Sequence, residues 1–103
     1  METPPGCRPL SNNYVVDVSE RFAENLLRLR QGRKLSQEEL AARASVHRTQ
    51  ISLMESGKRL PRLDTLVKLA GALEVEVPRL VEGISWEPTV TKDGQFEVAE
   101  PTL

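Results

Sequence analysis

Cysteine and histidine are nearly missing from this chain of 103 residues, which holds only Cys7 and His47. A lone thiol builds no disulfide framework, and one imidazole beside it falls short of a metal-ligand set. Aromatic residues are also scarce, at 4%. A core must therefore be assembled from Leu, Val and Ala. No apolar run approaches the roughly 18 residues of a membrane span. Prolines 4, 5 and 9 interrupt the opening stretch where a secretory signal would be apolar. Also lacking are a nucleophile–base pair and a glycine loop able to cradle phosphate. These absences argue against an enzyme and predict a soluble, cytoplasmic protein with no membrane partner, no metal and no cofactor. The length suits one small domain, too small for a deep cavity walled by a second domain.

Charge of one sign is not missing but hidden. The formal net charge is −1, whereas a nucleic-acid binder is expected to be basic. Counted by segment, residues 1–27 carry −2, residues 28–62 carry +6, residues 63–73 are neutral and residues 74–103 carry −5. A basic middle is thus masked by two acidic flanks. Such a middle is either a solvated helical surface or a footprint for a polyanion.

The chain is organised as a sequence of short helices. Residues 1–16, with no apolar periodicity, read as a flexible arm. From Asp17, a cap with Glu20 three residues on (Ser19 competing), Phe22, Leu26 and Leu29 repeat on one face, flanked by Ala23 and Leu27, up to a stop near Gly32. Ser36 and Glu39 form a second capping box ahead of Leu40, Ala41 and Ala44. After a break at Ser45–Val46, a third helix is expected from Arg48 to Ser56, ended by Gly57. The loop through Pro61 is basic. Leu63, Leu66, Val67, Leu69, Ala70 and Leu73 then mark the most apolar helix, and Pro78 opens a short fifth, with Leu80 and Val81 inward and Gly83 as its stop. Residues 17–83 thus form the domain. Residues 84–103 are a tail in which Trp86, Val90, Phe96 and Val98 flank Asp93–Gly94, the signal of a two-residue hairpin turn.

Function concentrates in residues 37–56. Two short helices can brace one another, one lying in a DNA groove, if both have apolar undersides and a small residue at their contact. Leu40, Ala44, Val46, Ile51 and Met54 supply the undersides, and Ala41 the small contact. His47, Arg48, Thr49, Gln50 and Ser52 remain on the outward face of the second helix. In order and spacing, Leu35-Ser36-Gln37-Glu38-Glu39-Leu40-Ala41, then residues 51–59 from Ile51 to Arg59, then Pro61 and residues 66–73, resemble the Xre/Cro family of helix-turn-helix repressors over about residues 20–83.

The resemblance implies an all-α, five-helix Cro/repressor-like DNA-binding domain, here followed by a small C-terminal β-hairpin or extended tail. It also implies residue roles. Arg48, Thr49, Gln50 and Leu53 would read base edges; arginine matches guanine bidentately, glutamine matches adenine, and leucine can touch a thymine methyl. Gln37, His47, Ser52, Lys58, Arg59 and Arg62 would contact phosphates, Gln37 from a helix N-terminus that favours an anion. Arg30 and Glu55 would form a structural ion pair. Ser45 and Glu74 stand where glycine is common, and His47 where a Ser or Thr cap is usual. Because an imidazole ordinarily titrates near pH 6.5, His47 could make DNA affinity depend on pH. The expected protein is a sequence-specific regulator of double-stranded DNA, a repressor acting as a homodimer on a pseudo-palindromic operator. An alternative is an antitoxin or adaptor whose C-terminal tail binds a protein partner.

Overall fold

A computed structural model describes residues 17–88 and 95–98. The arm expected over residues 1–16 lies outside these described residues. Five helices and one antiparallel strand pair follow in order: α1 Val18–Gly32, α2 Gln37–Ala44, α3 Arg48–Glu55, α4 Leu63–Leu73, α5 Val77–Leu80, β1 Ile84–Glu87 and β2 Gln95–Val98. The all-α reading with a small terminal hairpin therefore holds, and the third helix stops one residue before the expected Ser56.

The helix starts follow from short polar side chains that satisfy orphan backbone N–H groups. Asp17, not Ser19, caps α1, accepting from the Glu20 backbone N–H at 2.9 Å. At α2 the capping box is complete: Ser36 Oγ accepts from the Glu39 backbone N–H at 2.9 Å, and Glu39 Oε1 accepts from that of Ser36 at 2.8 Å.

The first four helices end alike. After each, one residue turns left-handed: Lys34 (φ 59°), Ser45 (φ 57°), Gly57 (φ 79°) and Glu74 (φ 61°). The N–H of the following residue then reaches back five positions: Leu35 to the Arg30 carbonyl at 3.2 Å, Val46 to Ala41 at 3.0 Å, Lys58 to Leu53 at 3.0 Å and Val75 to Ala70 at 3.0 Å. This is the Schellman closure, which satisfies carbonyls that the helix leaves open. Only one of the four left-handed positions is glycine, so three helix ends carry the strain of a Cβ there. At each of those three the next residue is apolar. Leu35, Val46 and Val75 are all packed against the core, and that burial offsets the strain. After α3 the pattern inverts: Gly57 removes the strain and Lys58 is exposed. That exit loop is free to face solvent.

One core unites the helices. Phe22, Leu26, Leu40, Ile51, Met54, Leu69, Leu73 and Leu80 are fully buried, with Leu29, Ala41, Ala44, Ala70 and Ala72 around them. α3 packs on both α1 and α2, α2 also packs on α4, and α5 bridges α1 and α4. Leu27, expected beside the inward stripe of α1, is half-buried, and so is Val81. The apolar α4 does not bury all its leucine and valine. Leu63 stays 76% exposed and Val67 53%, one turn apart on the same side.

The hairpin pairs Ile84 with Val98 and Trp86 with Phe96. The register places Glu87 opposite Gln95, and the turn expected at Asp93–Gly94 lies outside the described residues. Register follows the apolar pairs: setting Ile84 against Val98 lets Ile84 reach the core. α1 fixes the root of the hairpin. Buried Asn25 donates through Nδ2 to the carbonyls of Leu80 (2.9 Å) and Glu82 (3.0 Å), and Arg21 Nε donates to Glu82 O at 3.1 Å. Gly83 (φ 87°) passes so close to Arg21 that a Cβ there would meet its Nε at 2.7 Å.

Candidate nucleic-acid interface

α2 and α3 carry the proposed DNA surface, and their positions follow from what lies beneath them. Ile51 and Met54 pin the underside of α3, Leu40, Ala41 and Ala44 that of α2. With that side committed, the 3.6-residue period turns Arg48, Thr49 and Gln50 outward, and all three are exposed. Ser52 and Leu53 lie at the edge of the same face, half-buried. Lys58 and Arg59 follow on the exposed exit loop. Among the described residues these two form no ion pair. The structure thus brings seven of the ten proposed DNA-contacting residues to one helix and its exit.

The remaining three have additional commitments. His47 caps α3, its Nδ1 accepting from the Thr49 backbone N–H at 3.1 Å. A ring protonated at Nδ1 would gain charge but give up this bond. Gln37 turns one amide N–H to Glu55 Oε1 at 3.0 Å, and its amide nitrogen carries a second. Arg62 precedes α4 and bridges its own neighbour Asp64, Nη2 to Oδ2 at 3.2 Å, both side chains exposed.

Beneath this surface the expected Arg30–Glu55 pair is present in its strongest geometry. Arg30 Nε donates to Glu55 Oε2 at 2.6 Å and Nη2 to Oε1 at 3.0 Å, while Nη1 donates to the Leu35 carbonyl at 2.7 Å. The side chains are only 13% and 6% exposed. The hydrogen bonds with Glu55 hold Arg30 above its ordinary range, outweighing burial, which acts the other way. Since the folded value lies above the unfolded one, the Arg30 contribution is lost only as the pH rises into the range where the guanidinium gives up its proton. One bidentate bridge therefore ties α1 to α3, and through Gln37 ties in α2.

Sequence counting could not foresee how the basic middle divides. Arg33 Nε donates to the Leu73 carbonyl at 2.8 Å and its Nη2 to that of Glu74 at 3.1 Å, and Arg43 Nη1 reaches Ala72 O at 3.4 Å. Both close the carbonyl end of α4, where the helix dipole favours a cation. Arg28 bridges Glu82 at 3.4 Å. Sequence reasoning also passed over Glu38, whose Oε2 lies 3.2 Å from Arg48 Nε in an exposed ion pair. Its place in the first turn of α2 was the available signal.

Two short helices with interlocked undersides, the second presenting a polar first turn, define the helix-turn-helix class of DNA-binding domains. A family model described as "Helix-turn-helix" matches residues 26–80. The chain belongs to that family, in agreement with its Xre/Cro resemblance. It is similar to the control protein C.SmaI of Serratia marcescens, with 42% identity over 66 residues, 64% of this chain and 79% of that protein. It is also similar to the solved structure of the restriction-modification controller protein C.AhdI from Aeromonas hydrophila, at 37% identity and a TM-score of 0.57, covering 58% of this chain and 91% of that one. The structure of C.Esp1396I bound to a 25 base pair operator site matches at 25% identity and a TM-score of 0.55, over 58% of this chain and 79% of that one. Among the described residues no helix is long and apolar enough to cross a membrane, and no group of acidic, His or Cys side chains could hold a metal ion.

Proposed function

We propose that this protein is a repressor that binds a specific double-stranded DNA sequence as a homodimer. The observation that carries the reading is the exposed first turn of α3, Arg48-Thr49-Gln50, on a helix whose other side is locked into the core and whose exit carries uncommitted cations. Arg48, Thr49, Gln50 and Leu53 would read bases in the major groove. Gln37, His47, Ser52, Lys58, Arg59 and Arg62 would hold phosphates and set the register. One such helix reads only a few base pairs, so useful specificity calls for two half-sites about one DNA turn (~34 Å) apart and a two-fold protein. Leu63 and Val67, exposed together on α4, are suited to that dimer contact. Occupancy of the operator would block transcription. Likeness to restriction-modification controller proteins supports a controller-type role.

Selection of bound duplexes from a randomised pool tests this directly. A two-fold symmetric consensus with affinity falling steeply in salt is expected; recovery of no consensus would refute it. A second reading, a protein partner on the tail, is favoured by Trp86 and Phe96. Their rings meet edge to face at 5.1 Å, yet both stay more than half exposed. Light scattering on Trp86→Ser with Phe96→Ser separates the roles: loss of the dimer assigns the hairpin to self-association, and an intact dimer leaves it for a partner.

A further inference from the structure

Arg48 is the only charged residue in the first turn of α3, and it does not stand free. Its Nε lies 3.2 Å from Glu38 Oε2, across the junction of α2 and α3, with both side chains more than half exposed. Glu38 occupies the first turn of α2, where the helix dipole favours a carboxylate. An arginine has two usable edges. With Nε the guanidinium atom paired to Glu38, the terminal Nη1 and Nη2 are the edge left to match the O6 and N7 acceptors of guanine.

We propose that Glu38 is a positioning residue for base recognition, holding Arg48 so that it reads a guanine and is kept from neutralising phosphates indiscriminately. This rests on the reading of Arg48 as a base-contacting residue. Two effects of the carboxylate act in the same direction. It fixes one χ-rich side chain ahead of binding, which favours the site where the fork finds both acceptors. It also competes with phosphate oxygens for Arg48 and repels them, beside Gln37, where the duplex backbone is expected to pass. Sequence-independent binding is thereby weakened more than binding to the cognate site. Specificity is a difference of affinities, so both effects widen it.

The test uses the full chain as wild type, Glu38→Gln, Glu38→Ala and Arg48→Ala. Probes are the duplex that the wild type recovers from a randomised pool, every single-base variant of it, and a random-sequence duplex. Both Glu38 variants should lose roughly three- to tenfold in discrimination at one base pair, the same one that Arg48→Ala flattens. They should also bind the random duplex about threefold more tightly, with the melting temperature lowered by no more than a few degrees, since the pair is exposed and only the helix-dipole contribution of Glu38 is lost. Wild-type discrimination retained at that base pair, or an equal loss at all positions, overturns the role of Glu38 while leaving Arg48 as the reader. Arg48→Ala preserving every base preference overturns the reading of Arg48 itself, and the role of Glu38 with it.

Discussion

The first turn of α3 and the last turn of α4 both gather arginine, with opposite consequences. At α4 the cations are consumed: Arg33 and Arg43 close carbonyls of residues 72–74. At α3 the cation is lent, since an exposed carboxylate holds Arg48 without burying it. Beneath both, Arg30 is locked to Glu55. The acceptor sets the difference, since Arg33, Arg43 and Arg48 are all exposed. A guanidinium that saturates buried or helix-end acceptors becomes scaffold, and one paired in water stays available to a stronger anion.

The contrast breaks most visibly at Glu55. Replacing it with Ala leaves Arg30 charged and uncompensated and should cost about 3 kcal/mol, a fall in melting temperature on the order of 10 °C or more. Thermal unfolding checks this, and a melting temperature within a degree or two of wild type would undo the scaffold assignment. Next in size is Arg48→Ala. It should leave melting unchanged and reduce discrimination at one base pair on the order of tenfold, read by competition with single-base variants. Arg33→Ala should show the converse: about 1 kcal/mol lost in denaturant unfolding, from the freed carbonyls, with an unaltered salt slope of DNA binding. Ser45→Gly removes the left-handed strain between α2 and α3 and should raise stability by about 0.5 kcal/mol, the relief slightly exceeding the entropy cost of glycine. The smallest effect belongs to Lys58→Ala. Affinity should weaken about equally on all sequences and the salt slope should drop by about one; a base-specific loss would move Lys58 into the reading surface.

Much of this was legible because local chemistry governs it. Ser36 with Glu39 announced α2 through hydrogen bonds spanning four residues, and the period of Leu40, Ala44, Ile51 and Met54 marked the side that must turn inward. Ser45 and Glu74 were correctly singled out, since a left-handed position is forced by the closure of the preceding helix. The register of the strand pair was not legible for the opposite reason: Ile84 packs against the helical core and faces Val98, a choice made by packing and not by local chemistry.

The sequence alone determined where the helices begin and end, which of their sides are apolar and which side chains ride on the outward turn of α3. Those choices depend on bonds within a few residues and on a period that the chain carries in itself. Only the tertiary structure decided the employment of Arg33 and Arg43 and the pairing of Arg48 with Glu38. Even the Arg30–Glu55 pair across 25 residues was implied by family resemblance and not by the period of the chain, and a carbonyl 40 residues away is set by packing. The same holds for Leu63 and Val67, which are apolar by sequence and exposed because the core was filled without them.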